Sequence, residues 1–157
     1  AIALALAMRF PCSKVVATDA SQDALDLAAE NALRNGLQNR IQFVRSRWFE
    51  SLKGSGPFRL IVSNPPYLTD SEIEAAEPEV RDFEPTKALL SGKDGMEDAL
   101  SIISNSIDYL EPSGSLWLET GIHQHERLLE ACSNAGFQSS EGIVDWADRP
   151  RFVHAVK

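Results

Sequence analysis

The chain has 157 residues, a length that suits one domain with a substantial core, and residues 1–157 are predicted to form a single domain. Its net charge of −8 argues against a nucleic-acid surface, which normally needs a basic stripe, and no apolar run approaches the length of a membrane span. Its two cysteines, Cys12 and Cys132, form no Cys-x-x-Cys motif, so a reducing compartment, cytoplasmic or organellar, is expected.

Helical and strand patterns alternate along the chain. In order, we predict a helix over 1–9, a strand over 14–18, a helix opened by Ser21 and closed by Asn35-Gly36, a strand over 41–45, a strand over 60–62, a long connection over 68–95, a helix over 96–110, a strand over 115–119, a helix over 124–135 closed by Gly136, and strands over 137–144 and 151–156. Because the last two strands are too close for a crossover helix, they should pair antiparallel. The alternation predicts a doubly wound, mostly parallel α/β sheet with a C-terminal antiparallel pair.

The most informative stretch is Asn64-Pro65-Pro66-Tyr67, which directly follows the apolar strand Leu60–Val62. Two consecutive prolines cannot donate ladder hydrogen bonds, so the strand should stop at Asn64. Pro65 also pushes the backbone of Asn64 towards an extended conformation. The stretch is therefore predicted to be a stiff arm at the carboxyl end of a strand, where ligands bind in open α/β sheets.

This arm suits methylation of a planar nitrogen, which is a poor nucleophile because its lone pair is delocalised. A site for that reaction must hold the N–H bonds with acceptors and aim the nitrogen at an electrophilic methyl group. The side-chain oxygen of Asn64 and the carbonyl of Pro65, held in place by Pro66, would be the acceptors, and Tyr67 would cover the flat group. The alternative is a structural turn with Tyr67 in the core, since Asn-Pro often starts a turn.

With Asp19 and Trp48 ahead of it, this stretch resembles the class I methyltransferases that use S-adenosylmethionine. More narrowly, the chain resembles the HemK/PrmC family, the peptide chain release factor N5-glutamine methyltransferases. Asn-Pro-Pro-Tyr is shared with N6-adenine and other amino-group methyltransferases, whereas the Phe-Glu-Pro segment at its distance from the arm is more selective. The further motifs that carry the resemblance are Val80–Pro85, Ala88-Leu89, Gly92–Gly95, Glu119–Gly121 and Asp145–Arg149.

The resemblance implies roles for several of these residues. Asp19 would accept hydrogen bonds from the ribose hydroxyls of S-adenosylmethionine, although a helix N-terminal acid is the alternative. Trp48 would lie beside the adenine, or else only pack in the core, and Asn64 would also contact the cofactor. The family usually has an acidic residue where Arg47 stands, and an arginine cannot accept from the adenine amino group. Glu84 would orient the substrate or brace the arm, or be a solvated loop acid.

The family's sequence before the first predicted helix is a further point of comparison. The family carries a strand and a Gly-x-Gly-x-Gly loop there, preceded by a helical N-terminal domain. Ala1 is not preceded by any of these, and the first residues show no signal-peptide pattern. We therefore expect a partial catalytic domain, with the first strand and glycine loop missing, that binds the cofactor weakly or not at all.

The leading hypothesis is methylation of the glutamine amide in the Gly-Gly-Gln loop of a release factor, which would be the protein partner of a monomeric enzyme. Three alternatives stay open: a ribosomal-protein glutamine methyltransferase, an N6-adenine or guanine-N2 nucleic-acid methyltransferase, and a non-catalytic binding module. The acidic charge disfavours the nucleic-acid alternative, and Arg40, Arg45 and Arg47 are expected to form a solvated strand edge rather than a basic patch. His123 and His125 lack a third ligand, so no metal site is expected; both are interpreted as helix-cap or surface residues.

Overall fold

The computed structural model describes residues 1–74, 77 and 85–157. These residues form two compact units, Ala1–Ser55 and Gly56–Lys157, and each unit has its own sheet. The expectation of one domain over residues 1–157 stays a prediction. In the described part of the chain, no helix combines the length and the apolar character that crossing a bilayer requires.

The first unit packs two helices with a two-stranded parallel sheet. Its elements are α1 (Ile2–Arg9), β1 (Val15–Asp19), α2 (Gln22–Arg34) and β2 (Ile41–Arg45). β1 and β2 run parallel, so their carboxyl ends lie side by side, with Asp19 opposite Arg45. The small core around Ala7, Ala32 and Ile41 holds both helices to the sheet.

The ends of α2 are those that the sequence predicts. The Ser21 hydroxyl accepts a hydrogen bond from the backbone N–H of Ala24 at 3.3 Å, which satisfies one of the free donors of the first turn. After Asn35, Gly36 adopts φ +69°, the left-handed conformation that commonly ends a helix. Both capping predictions are confirmed.

The second unit is built on a four-stranded sheet. Its elements are β3 (Phe58–Ser63), α3 (Asp70–Glu74), a short 3-10 helix (Thr86–Ala88), α4 (Glu97–Tyr109), β4 (Leu110–Glu119), α5 (His125–Ala135), β5 (Ser139–Val144) and β6 (Pro150–Val156). The strand order is β3-β4-β6-β5, in which β3 and β4 are parallel and β6 is antiparallel to both of its neighbours. The carboxyl ends of β3, β4 and β5 therefore share one edge of the sheet with the start of β6. The predicted α/β class and the predicted antiparallel pair are confirmed.

β4 begins five residues earlier than the sequence predicts. Leu110 pairs with Phe58, and the ladder then resumes at Leu60 and Ser115 after an irregular stretch. The residues between, with a proline and a glycine, resemble a turn in sequence, so only the partner strand shows that the pairing continues across them. The core of this unit joins α4, α5 and the sheet through fully buried side chains, which include Ile102, Ile103, Leu116, Leu118, Leu128 and Val153.

Candidate active site

The Asn64–Tyr67 arm leaves β3 at the edge where the strands end. Ser63, the last residue of β3, lies opposite Leu118 of β4. The Pro65 side chain is less than 2% exposed, whereas Asn64 is exposed to solvent. Neither the Asn64 side chain nor the Pro65 carbonyl accepts or donates a hydrogen bond within the described residues. The arm is thus anchored by its first proline and presents the Asn64 carboxamide to solvent, next to a Pro65 carbonyl that makes no hydrogen bond in the described residues.

The ring of Tyr67 is half-buried and lies beneath a cation. The guanidinium carbon of Arg151, in β6, is 5.7 Å from the ring centroid, within the range of a cation–π contact. Arg151 Nη1 also donates to the carbonyl of Thr120, at the end of β4, at 3.3 Å. Tyr67 is therefore partly buried and contacts the start of β6, and its role in the site stays a prediction.

A buried glutamine lies behind the arm. Gln124 is 8% exposed and stands at the residue before α5. Its Oε1 accepts from the N–H of Gly121, and its Nε2 donates to the carbonyls of Tyr67 and Gly95. Sequence reasoning missed this residue, because a glutamine at a helix start is usually solvated and only the fold shows that three loops converge on it.

Asp19 ends β1 in the first unit, and its side chain is exposed. One carboxylate oxygen, Oδ1, accepts from the backbone N–H of Ser21 at 2.8 Å, which fixes the orientation of the carboxylate. The other oxygen, Oδ2, makes no hydrogen bond in the described part of the chain. A carboxylate held by one oxygen with the other available matches the demands of a hydroxyl-rich ligand such as ribose.

Trp48 follows β2 in the same unit and has an unusual backbone. Its φ is +48°, a value that a bulky residue rarely adopts and that costs about 1–3 kcal/mol unless the surroundings impose it. Ser46, which is buried, braces this turn: its hydroxyl donates to the Trp48 carbonyl at 3.1 Å and accepts from the Ser51 N–H at 2.9 Å. The Trp48 residue is partly buried, and the role of Ser46 was not predicted from the sequence.

Arg40 and Arg45, from the predicted arginine cluster, donate hydrogen bonds to backbone carbonyls in the first unit. Arg40 donates to the carbonyl of Ser13 at 2.6 Å and to that of Phe10 at 2.8 Å, and it is only partly exposed. The Nε of Arg45 donates to the carbonyl of Ala20 at 3.3 Å. The expectation of a solvated strand edge is wrong for Arg40, because its guanidinium satisfies carbonyls of the loop before β1.

The motif Asp145–Arg149 forms the connection between β5 and β6. The Asp145 carboxylate accepts from the backbone N–H groups of Ala147 and Arg149 and from the Arg149 guanidinium. These hydrogen bonds, the largest of them from the Arg149 side chain, lower the pKa of Asp145 to about 2. The turn is thus fixed while the side chain of Trp146 is fully exposed.

The remaining predicted residues are Glu84 and the two histidines, His123 and His125. Glu84, with the Val80–Glu84 part of its motif, lies outside the described residues. His123 is exposed as predicted, but His125 is only half-exposed: its Nε2 is buried without a hydrogen-bond partner among the described residues, because the ring packs on β5 at Gly142. Burial lowers its pKa. The described residues contain no group of three His, Cys, Asp or Glu side chains that could hold a metal ion.

Comparison with known proteins places these features in a family. Residues 1–80 match the model of the "Methyltransferase small domain" family. A "Release factor glutamine methyltransferase" of Agrobacterium fabrum is 36% identical over 98% of this chain and 52% of its own length. A protein of the same name from Geobacter sulfurreducens is 43% identical over 87% of this chain and 47% of its own length. The chain thus spans about half the length of these curated relatives.

The fold agrees with a solved structure. A methyltransferase from Pyrococcus furiosus superposes with a TM-score of 0.70 at 23% identity, over 99% of this chain and 68% of the other. At this identity the likeness concerns the fold alone. It confirms the predicted class I, Rossmann-like α/β architecture, and the curated relatives confirm the resemblance that the sequence motifs predict.

Proposed function

The chain belongs to the methyltransferase small domain family, and from this premise we propose that residues 1–157 carry the catalytic-domain residues of an S-adenosylmethionine-dependent glutamine methyltransferase. Its substrate would be the side-chain amide of the glutamine in the Gly-Gly-Gln loop of a peptide chain release factor. The names of the curated relatives at 36% and 43% identity support this substrate. A monomeric state and a location in the cytoplasm or an organelle stay predictions.

One observation carries the proposal: an exposed Asn64 carboxamide next to a buried Pro65. A carboxamide oxygen and a neighbouring backbone carbonyl, both without hydrogen bonds in the described residues, can accept the two N–H bonds of a primary amide. Such a pair selects a planar NH₂ group rather than a hydroxyl, which offers only one proton. The arm therefore favours an amide or amino substrate.

The residues of the arm would act by positioning and by electrostatics. Bound S-adenosylmethionine supplies an electrophilic methyl group on a positively charged sulfur. Asn64 and Pro65 would fix the plane of the amide so that its nitrogen faces that methyl group. The nitrogen would take the methyl group, leaving the bonding electron pair on the sulfur, and would pass one of its protons to water, while the two acceptor oxygens stabilise the N–H bonds as they become more acidic. The ring of Tyr67 would exclude water from one face of the amide.

Residues of the first unit would hold the adenosine part of the cofactor. The Asp19 carboxylate, oriented by the N–H of Ser21, has Oδ2 available for a ribose hydroxyl. Trp48, held at positive φ, offers a flat apolar ring for the adenine. Arg47 is the exception, because a guanidinium donates and cannot accept from the adenine amino group.

The three alternatives differ in substrate or in having no chemistry. A ribosomal-protein glutamine methyltransferase would use the same arm in the same way. A nucleic-acid methyltransferase is disfavoured by the net charge of −8 and by the use of Arg40 on backbone carbonyls. A binding module without activity would not require two acceptor oxygens without hydrogen-bond partners at the end of the strand.

The test is methyl transfer from labelled S-adenosylmethionine by the protein expressed from its complete gene. The substrates are a release factor, the same factor with its Gly-Gly-Gln glutamine changed to alanine, an unmethylated ribosomal protein with a target glutamine, and DNA and RNA that contain adenine and guanine. We expect label only on the intact release factor. Label on the ribosomal protein or on nucleic acid would replace the proposed substrate, and no label on any of them would leave the binding module.

A further inference from the structure

Gln124 connects the arm to two other loops of the second unit. Its Oε1 lies 2.8 Å from the N–H nitrogen of Gly121, and its Nε2 lies 3.2 Å from the Tyr67 carbonyl oxygen and 2.9 Å from that of Gly95. Gln124 is only 8% exposed, so these hydrogen bonds are largely shielded from solvent. A buried amide whose acceptor and both donors are used is a rigid connection, because moving any partner leaves a polar group unsatisfied.

Gly95 also packs closely against the Tyr67 end of the arm. It has φ +66°, and a Cβ at this position would lie 2.4 Å from the Tyr67 carbonyl oxygen. Only a glycine therefore lets this loop approach the arm so closely. The Tyr67 carbonyl is consequently confined between the Gln124 amide and the Gly95 backbone.

Other contacts also hold the arm: the backbone of Leu68 bonds to Leu89 and Ser91, and Arg151 lies over the Tyr67 ring. The β3–β4 ladder holds its start, where Ser63 lies opposite Leu118. Two prolines fix φ in the middle, but the Asn64 side chain itself bonds to nothing in the described residues. Among the described residues, Gln124 is the side chain that hydrogen-bonds to the arm itself, at the Tyr67 carbonyl, and so it links the end of the arm to the Gly121 and Gly95 loops.

We propose that Gln124 is a positioning residue for amide methylation, which fixes the Tyr67 end of the Asn64–Tyr67 arm and thereby sets where the Asn64 and Pro65 acceptor oxygens lie. This proposal rests on the proposed function. A shift of the acceptors by about 1 Å is enough to cost roughly 100-fold in rate when the reacting nitrogen must be aligned with the methyl group. Gln124 therefore acts on turnover rather than on the affinity for either ligand.

The informative variant is Gln124→Glu, studied in the protein expressed from its complete gene. An ionised glutamate keeps the acceptor for the Gly121 N–H but has no proton for the carbonyls of Tyr67 and Gly95. A protonated one regains a single donor, and burial among carbonyls favours the protonated form. Gln138→Glu is the matched control, because Gln138 is exposed on the chain after α5.

We expect kcat for release-factor methylation by Gln124→Glu to fall roughly 30-fold at about pH 8, with KM and the Kd for S-adenosylhomocysteine within about threefold of wild type. The ratio of variant to wild-type kcat should rise as the pH is lowered towards about 6, as the glutamate gains its proton. Gln138→Glu should match wild type at every pH. A Gln124→Glu variant that folds and keeps its kcat within about twofold at pH 8, or a pH-independent ratio, overturns the proposal.

Amide hydrogen exchange separates this proposal from the proposed function. The Leu68 N–H, next to Tyr67, bonds to the Leu89 carbonyl at 2.9 Å. In Gln124→Glu its exchange should accelerate about tenfold while Gly121 stays protected. If wild type methylates no release factor but exchange changes in this way, the substrate assignment fails and the positioning of Tyr67 by Gln124 stands. Unchanged exchange at Leu68 overturns the positioning itself.

Discussion

The guanidinium of Arg151 lies over the ring of Tyr67, with 5.7 Å between the guanidinium carbon and the ring centroid. The same side chain donates to the Thr120 carbonyl, so β6 places a cation above the last residue of the arm. Changes to Arg151 should therefore alter the rate of methyl transfer at Asn64 and Pro65, although both residues are far from Arg151 in the sequence.

Replacing Arg151 with methionine keeps much of the apolar stem but removes the charge and the donor. Loss of a partly exposed cation–π contact, worth about 0.5–1 kcal/mol, should lower kcat/KM for the release factor by roughly two- to fivefold. Arg34→Met is the control, because in the part of the chain that the structure describes Arg34 pairs with Glu30 on an exposed helix face. Equal kinetics for Arg151→Met and wild type would remove Arg151 from the account.

Gly95 and Gly36 form a matched pair for testing how closely the Gly95 loop approaches the arm. Their φ angles are nearly equal, at +66° and +69°, but a Cβ at Gly36 would meet nothing within 4 Å. Gly36→Ala should therefore cost only the left-handed backbone strain, about 1–2 kcal/mol of the free energy of unfolding. Gly95→Ala should cost about 1–3 kcal/mol more, because the methyl group must displace the Tyr67 carbonyl.

Denaturant unfolding measures both glycine variants, and methylation assays show whether the arm has moved. We expect Gly95→Ala to lose activity at temperatures where it is still folded, and Gly36→Ala to keep it. Equal free energies of unfolding for the two variants would show that the loop yields freely and does not confine Tyr67.

Asp19 can be separated from a helix N-terminal acid by comparison with Asp23, which lies in the first turn of α2. Asp19→Ala should weaken S-adenosylhomocysteine binding roughly 10- to 100-fold, since hydrogen bonds to a charged group contribute about 1.5–3 kcal/mol. Asp23→Ala should leave Kd unchanged and lower only stability, by a fraction of a kcal/mol. Isothermal titration measures both, and similar Kd values for Asp19→Ala and Asp23→Ala would contradict the ribose role.

His125 makes stability depend on pH in a predictable direction. Burial lowers its pKa in the folded state below the value of 6.5 expected for the unfolded chain. Below about pH 6.5 the unfolded chain therefore binds a proton that the folded chain resists, so this contribution to stability is complete above that pH and declines as the pH falls towards the folded pKa. His125→Gln should flatten the fall in the free energy of unfolding between about pH 7.5 and pH 5.5. If the free energy of unfolding of the two proteins depends on pH in the same way, the pKa of His125 does not differ between the folded and the unfolded chain, which would contradict the prediction.

Local signals let the sequence predict much of the fold. Ser21 and Gly136 mark helix ends through backbone chemistry that needs no knowledge of the rest of the chain, and both positions are confirmed. The arm is equally local, because two prolines after an apolar strand restrict the backbone whatever surrounds them.

Contacts between residues far apart in the sequence were not predicted. Gln124 bonds to Tyr67, 57 residues away, and Arg151 reaches Thr120, 31 residues away. Neither residue type at its position signals such a contact, since glutamine at a helix start and arginine in a strand are usually solvated. The pairing of Leu110 with Phe58 was missed for the same reason, because only the partner strand reveals it.

The most direct test of the central claim is a comparison of Asn64→Ala with wild type in two measurements on the protein expressed from its complete gene. The account predicts that the Kd for S-adenosylhomocysteine changes by less than about threefold while kcat for release-factor methylation falls by at least about 100-fold, because the variant loses an acceptor that aligns the amide nitrogen. An Asn64→Ala protein that turns over the release factor at close to the wild-type rate would contradict it.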